Sequence, residues 1–404
     1  MGQNALPTGC HNEPKSAVAR LLQGWARSSD NAHMNSVSKP GFNLIGYATS
    51  PIGLGEDLRS FAAMLDYLNI PFSIIDLPTD SSKKVAVKFK SMTMDTYENS
   101  MFFMSAMECQ NLANVHPKLF TEPKKKLGYF LWELPDFPDE YVPALKLVDH
   151  IWCPTKFVQE AFFAKSKQLI LSIPLPVIQV EADKKDTIDF REKLDIPKDA
   201  FVNLFMFDMR STMNRKNPQA VVEAFNAFAK GKKEAYLILK INRWQRDIQE
   251  SLQWLPESKY IKIIKETLSP TQLHDLYQAS NCYISLHRSE GFGRTLVEAL
   301  QQGLWLISCN YSGPADFLTE KNTELVSWEP KTVLKGEYPH NNHSIWADPS
   351  VGETIEKLEK LYAQHQKLAG KRPKRNTAGI KTGQAFTLAA LAEKYRPILM
   401  SYLR

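Results

Sequence analysis

Two rhythms of apolar and polar positions alternate along this chain of 404 residues. Short apolar, β-prone runs are separated by longer stretches in which apolar residues recur at every third or fourth position, the spacing of one helix face. Phe42 to Tyr47 is the first β run. Gly55 to Asn69 follows, with Leu58, Phe61, Ala62 and Leu65 on one helical face, and Phe72 to Asp76 is β again. Further β runs cover Met101 to Ala106, Leu127 to Leu131 and His150 to Pro154, with helical patterns over Tyr141 to Val148 and Lys156 to Lys165. A second series starts at Phe201. Its strands are Phe201 to Met209, Ala235 to Ile241, Lys259 to Lys265, Asn281 to Leu286 and Trp305 to Cys309. Its helices are Pro218 to Lys230, Pro270 to Ser280, Thr295 to Gln302 and Val351 to Leu368. Such alternation predicts an α/β chain of two Rossmann-like halves, each a parallel sheet with helices on both faces.

The run Leu169 to Val180 holds Pro174 and Pro176 and reads as an extended connector, and Asp183 to Asp199 is highly charged. The boundary therefore falls near 178–199, with one domain over 41–180 and a second over 199–375. Lys371 to Lys381 reads as a solvated basic loop, and Gln384 to Leu403 as a last helix. Residues 1–40 form a polar, turn-rich extension. Within it Val18, Leu21, Leu22 and Trp25 repeat at helical spacing beside Lys15, Arg20 and Arg27. Residues 15–28 are thus an interfacial helix touching a membrane, a helix packed on its own domain, or a partly disordered leader.

Composition narrows the class. The length suits two domains of roughly 150–200 residues better than one core. Apolar residues at 43% and charged residues at 23% are those of an ordinary soluble enzyme. Cys10, Cys109, Cys153, Cys282 and Cys309 are odd in number and scattered, without metal or disulfide spacing, which favours a reducing, cytoplasmic setting. No apolar run is long enough to span a bilayer. The N-terminus shows neither a secretory core nor a myristoylation start, since position 6 is Leu. A net charge of +6 suits an anionic small molecule or an anionic lipid surface. Aromatics are not interleaved with a basic stripe, so nucleic acid is not an expected partner.

The densest chemistry lies at Ser289 to Leu300, Ser-Glu-Gly-Phe-Gly-Arg-Thr-Leu-Val-Glu-Ala-Leu. The order is strand, glycine turn, helix. A turn of this kind lets backbone N–H groups approach an anion, and the helix dipole adds partial positive charge. Glu298 stands about one helical turn beyond Arg294, roughly 5 Å along the axis. A diphosphate at the helix start leaves Glu290 and Glu298 free to take hydroxyls on either side, which is a clamp for a nucleotide-sugar. The plain alternative is a strand-to-helix turn whose glycines only ease packing.

This block resembles glycosyltransferase family 4, retaining nucleotide-sugar transferases of the GT-B fold. The family signature is Glu, seven residues, Glu, with His-Arg-Ser before it and Gly-Phe-Gly inside, and here Leu286-His287-Arg288-Ser289 leads into Glu290. The resemblance implies two Rossmann-like domains with parallel sheets facing a central cleft, and a final helix, about 384–404, returning to the first, acceptor-side domain. It implies that Glu290 meets the donor sugar and Glu298 the nucleotide ribose, with Gly291, Phe292, Gly293, Arg294 and Thr295 in the donor turn between them. Arg294 and Thr295 stand where the family often has Leu-Pro, and Arg294 has reach to phosphate or sugar.

Breaking a glycosyl–phosphate bond leaves extra negative charge on a nucleoside diphosphate, and a pre-positioned cation must meet it. The family has an Arg and, six residues on, a Lys in the first strand-to-helix loop of its nucleotide domain. Arg210 and Lys216 match that spacing, and Arg215 adjoins. Asn310 to Phe317 also resembles the family, with Pro314 in place of the usual Asn, and Trp346-Ala347-Asp348-Pro349 matches a recurrent segment. In the first half, Gly53 and Gly55 sit in the loop that lines the acceptor side in the family. Strand, Gly-x-Gly, helix and then Asp76 also imitate a dinucleotide fingerprint, although position 58 is Leu rather than the third glycine. Glu133, in Leu131-Trp132-Glu133-Leu134-Pro135, is either an acceptor ligand or a structural carboxylate. His116, His150 and His287 read as packing or surface histidines.

The resemblance implies transfer of a hexose-type sugar, with retention, from a nucleoside-diphosphate sugar to a glycan or lipid-linked glycan acceptor. Surface polysaccharide or lipopolysaccharide assembly on a cytosolic membrane face is the expected setting, with no essential metal and no cofactor beyond the donor. Two other readings remain: a non-catalytic GT-B scaffold that binds sugars or partner enzymes, and a nicotinamide-dependent oxidoreductase built on the first half.

Overall fold

The computed structural model describes residues 39–79, 84–179, 183–209, 211–242, 252–339, 343–368 and 375–404. Arg210, residues 15–28 and residues 371–374 lie outside the described residues. Two six-stranded sheets organise the chain. The first comprises β1 (Lys39–Gly46), β2 (Phe72–Asp76), β3 (Tyr97–Phe103), β4 (Lys125–Tyr129), β5 (His150–Cys153) and β6 (Leu169–Ser172), in the order β2-β1-β3-β4-β5-β6. The second comprises β7 (Phe201–Asp208), β8 (Ala235–Asn242), β9 (Ile261–Ile264), β10 (Cys282–Ser285), β11 (Trp305–Cys309) and β12 (Glu324–Val326), in the order β12-β11-β10-β7-β8-β9.

By its contacts the chain falls into two units. One holds the described residues through Phe130 with Glu140–Trp152 and Lys394–Arg404; the other holds Leu131–Asp139 and Cys153–Glu393. In the first unit, β1 pairs in parallel with β2 and β3, in registers that set Phe42 opposite Phe72 and Leu44 opposite Met101. Helix Gly53–Tyr67 covers the sheet with Leu58, Phe61, Met64 and Leu65, all buried. The end of the chain belongs to this unit: Asn99 Nδ2 donates to the Tyr402 carbonyl at 2.9 Å, and His150 Nδ1 lies 2.7 Å from the Tyr402 hydroxyl.

In the second unit, β7 and β8 pair in parallel from Phe201↔Ala235 to Asp208↔Asn242. Both are buried along nearly their whole length, as strands covered on two faces must be. The period of two divides β7 between two cores. Phe201, Phe205 and Phe207 pack with Val221 and Phe225 of helix Pro218–Ala229 and Leu358 of helix Val351–Gln366. Val202, Leu204 and Met206 pack with Leu276 of helix Pro270–Gln278 and Leu296 and Leu300 of helix Arg294–Gln301. An antiparallel hairpin, β13 (Trp328–Thr332) and β14 (Ile345–Pro349), completes this unit.

Three local expectations change. Leu169–Ser172 is a strand, because the prolines of the supposed connector come after it. Thr377–Gln384 is helical, started by Asn376, whose side chain accepts from the Gly379 N–H at 2.8 Å. The last helix is Leu388–Ser401, separate from that one. The break falls at Phe386, whose carbonyl accepts from Val177 N–H at 2.9 Å while its ring packs on Phe292 and Phe317. Among the described residues, no helix is long and apolar enough to cross a membrane.

Candidate active site

In the second sheet the strand order reverses between β7 and β10. Ligands of doubly wound sheets bind outside the carboxyl ends of the strands at such a switch point. The segment after β7 carries Lys216 at the end of a single helical turn, Met213–Lys216, and the loop after β10 carries Glu290. The two loops are stitched together by backbone. Arg288 N–H donates to the Arg215 carbonyl at 2.8 Å, and Asn217 Nδ2 donates to the Leu286 carbonyl at 3.0 Å. Asn217 reaches that position from a left-handed backbone (φ 51°, ψ 46°), which asparagine tolerates better than most residues.

Lys216 Nζ lies 2.5 Å from Glu290 Oε1, and Arg215 Nη1 lies 3.1 Å from Glu290 Oε2. His287 Nε2 also reaches Oε1, at 3.1 Å. Burial alone would raise the Glu290 carboxyl, but Lys216, Arg215 and His287 together outweigh it and hold it well below the ordinary carboxylate range. Burial, helped by Lys216 and Arg215, pushes His287 down to about 3. The ring is therefore neutral. Its contacts assign the tautomer: Nε2–H donates to Glu290, and Nδ1 accepts from the Ser285 hydroxyl. Burial lowers the Lys216 ammonium, and Arg215 adds to that, against the opposing pull of Glu290.

The turn that presents Glu290 is braced from behind. Its N–H donates to Ser312 Oγ at 2.9 Å, and its carbonyl accepts from Gly313 N–H at 2.9 Å. Ser312 sits at φ 59°, ψ −151°, a conformation normally left to glycine. A Cβ on Gly313 would stand 2.2 Å from the Gly291 carbonyl oxygen, so only glycine fits there. Gly293 caps helix Arg294–Gln301 at φ 90°, the left-handed region that frees the turn to meet the helix start.

The other expected site residues are placed as follows. Gly291 packs on the Trp132 carbonyl, and its own carbonyl accepts from Thr155 Oγ1 at 2.8 Å. Phe292 is engaged in packing, with its ring on Phe317 and Phe386. Arg294 donates to the Pro176 carbonyl at 3.2 Å. The Thr295 carbonyl and the Glu298 carboxylate both face Tyr277, whose hydroxyl is 2.6 Å from Glu298 Oε2. Gly53 and Gly55 lie in the first unit, at the start of its first helix. A Cβ at Gly53 would meet nothing within 4 Å, whereas one at Gly55 would strike the Ser50 and Tyr47 carbonyls. There too the Asp76 carboxylate accepts from Thr49 N–H at 3.0 Å and from Thr49 Oγ1 at 2.6 Å, one bond to each oxygen.

Sequence reasoning missed Tyr338. Its hydroxyl is 2.5 Å from Glu133 Oε2, while Glu133 Oε1 is 3.0 Å from Arg215 Nη2. Tyr338 lies between β13 and β14, far along the chain from the Glu290 motif, and no local signal marks it. Among the described residues, no three His, Cys, Asp or Glu side chains gather as a metal-ligand group.

Residues 186–332, the stretch holding Lys216, Glu290 and Glu298, match the family model described as Glycosyl transferases group 1. No curated protein matches the chain in sequence. Its fold is similar to that of sucrose-phosphate synthase from Thermosynechococcus elongatus, with a TM-score of 0.64 at 13% identity over 90% of this chain and 100% of that one. It is also similar to Anabaena HepE, solved in complex with UDP-glucose, with a TM-score of 0.59 at 13% identity over 89% of this chain and 99% of that one. The pneumococcal O-GlcNAc transferase GtfA, solved with UDP and GlcNAc, gives a TM-score of 0.53 at 16% identity over 76% of this chain. The match spans 57% of that longer protein. The likeness is one of fold: two α/β domains, each on a six-stranded sheet, matching the GT-B fold of these neighbours.

Proposed function

We propose that the protein is a retaining glycosyltransferase that moves a hexose-type sugar from a nucleoside-diphosphate sugar to a glycan or lipid-linked glycan acceptor. The observation that carries this reading is the Lys216–Glu290 pair at the switch point of the second sheet, beside the glycine-capped helix start. There an ammonium, helix-terminal N–H groups and an ionised carboxylate stand within one turn of each other, the set a sugar diphosphate requires.

In this reading the diphosphate displaces Lys216 toward itself, with Arg210 as the second cation. Glu290 accepts a hydroxyl of the donor sugar and Glu298 one of the ribose. Gly53 and Gly55 belong to the acceptor side. The bond from the anomeric carbon to the phosphate oxygen breaks, and the acceptor oxygen bonds that carbon on the same face. The acceptor proton passes to the departing phosphate oxygen. Cationic side chains supply the neutralising charge, so transfer is expected to persist in EDTA. The UDP-glucose bound to HepE makes UDP-hexoses the first donors to try. Assembly of surface polysaccharide or lipopolysaccharide on a cytosolic membrane face is the setting proposed, with a division near 178–199 between acceptor and donor domains.

The test is donor consumption and product formation across UDP-, GDP- and dTDP-sugars, with the anomeric configuration of the product read by NMR. Lys216→Ala should lower the rate by about 10²-fold or more. Full activity in that variant would refute the charge-neutralising role. A protein that binds donor and never consumes it would be a sugar-binding scaffold, and one that binds NAD instead would be an oxidoreductase.

A further inference from the structure

Five side chains form one unbroken line in the second unit: Tyr338, Glu133, Arg215, Glu290 and Lys216. Its contacts run 2.5 Å from phenol to carboxylate, 3.0 Å from carboxylate to guanidinium, 3.1 Å from guanidinium to the second carboxylate and 2.5 Å from there to the ammonium. Each carboxylate gives its two oxygens to different partners. The two acids balance the two bases, and the guanidinium between them is 5% exposed. Tyr338 enters from the loop of the β13–β14 hairpin, beyond Thr332, where the family match ends.

An arginine prefers to meet a carboxylate with both ends of its fork. Arg215 does not do so here. Its Nη2 goes to Glu133 and its Nη1 to Glu290 and the Ser289 carbonyl. The Tyr338 hydroxyl holds Glu133 Oε2, and Arg215 meets Glu133 through Oε1 alone. We propose that Tyr338, Glu133 and Arg215 are positioning residues that aim the Glu290 carboxylate at the donor sugar, with the Tyr338 hydroxyl as the outer latch. The proposal rests on the glycosyl-transfer reading above. Loss of the hydroxyl frees Glu133 to take both ends of Arg215 and draws the guanidinium away from Glu290. Glu290 then turns fully toward Lys216, and the carboxylate and the ammonium are both misplaced for the donor.

Tyr338→Phe is the sharpest probe, since the ring keeps its edge-on packing against Trp132 (centroids 5.5 Å apart) and only the hydroxyl goes. Steady-state sugar transfer should show kcat lowered about tenfold, a larger change than any rise in the donor KM, with the melting temperature lowered by no more than a few degrees. Glu133→Gln should act in the same direction. The double variant should lose no more than the worse single one, because both act through Arg215. Wild-type transfer with Tyr338→Phe at full kcat, or fully additive losses in the double variant, would overturn the latch alone. A wild type that neither binds a nucleoside diphosphate nor consumes any nucleotide-sugar would overturn the functional reading and the latch with it.

Discussion

His287 offers a quantitative test of how the site is charged. At about pH 5 an unfolded imidazole with the ordinary pKa of about 6.5 is almost fully protonated. The native ring, pushed down to about 3 by burial with Lys216 and Arg215, is neutral there. Unfolding takes up nearly one proton, so stability must fall as the pH drops through this window. The expression RT ln(1 + 10^1.5) gives about 2 kcal/mol at pH ~5, and its counterpart at pH ~7 gives about 0.2 kcal/mol. Any native value below about 4 leaves the result unchanged, so it rests mainly on the ring being neutral and 6% exposed when folded. Glu290 does not compete. Its folded carboxyl is depressed, so its contribution is intact above the ordinary carboxylate range and fades only as pH falls below it. The assay is urea unfolding of the wild type and His287→Gln between about pH 7 and about pH 5. The wild type should lose about 2 kcal/mol more than the variant over that interval. Parallel pH dependences would mean that the native ring is protonated, and that the neutral tautomer linking Ser285 to Glu290 is wrong.

Two further outcomes test the geometry. Gly313→Ala would set a methyl 2.2 Å from the Gly291 carbonyl oxygen, so it should cost about 1–3 kcal/mol and weaken nucleotide binding. Gly53→Ala, whose Cβ meets nothing within 4 Å, should leave the melting temperature in place; equal melting of both variants by thermal shift would refute the tight fit. Tyr277→Phe removes the 2.6 Å donor to Glu298 and should weaken nucleoside-diphosphate binding about three- to thirtyfold by calorimetry, whereas unchanged affinity would show that Tyr277 does not orient Glu298.

Much of the architecture was legible because it is local. Trp305–Cys309 and Phe72–Asp76 announce themselves as apolar runs bounded by polar turns, and the expected ranges coincide with the strands. The β13–β14 hairpin was invisible. Trp328–Thr332 contains Pro330 and two charged residues, which argue against a strand everywhere except at an edge. The last helices were misjudged because periodicity cannot see that the Phe386 carbonyl is claimed by Val177. In the site, the spacing of Glu290 and Glu298 and the position of Lys216 could be read within short windows. The charge state of His287 could not, because it depends on burial and on Arg215 and Lys216 arriving from another strand. Glu133 and Tyr338 are farther still from the motif, and only the folded second unit joins them to Arg215.

The stitching of β7 to β10 bears on how the protein is made. Some seventy residues separate Lys216 from its counterion, and β8 and β9 are synthesised in between. A chain still on the ribosome, finished only as far as β9, holds the Arg215 and Lys216 cations with Glu133 as their sole acid from this cluster. Full neutrality arrives only when Glu290 emerges and β10 docks. Until that moment the growing domain carries uncompensated positive charge at the corner proposed to receive the nucleotide, which disfavours burial of that corner before the sheet is whole.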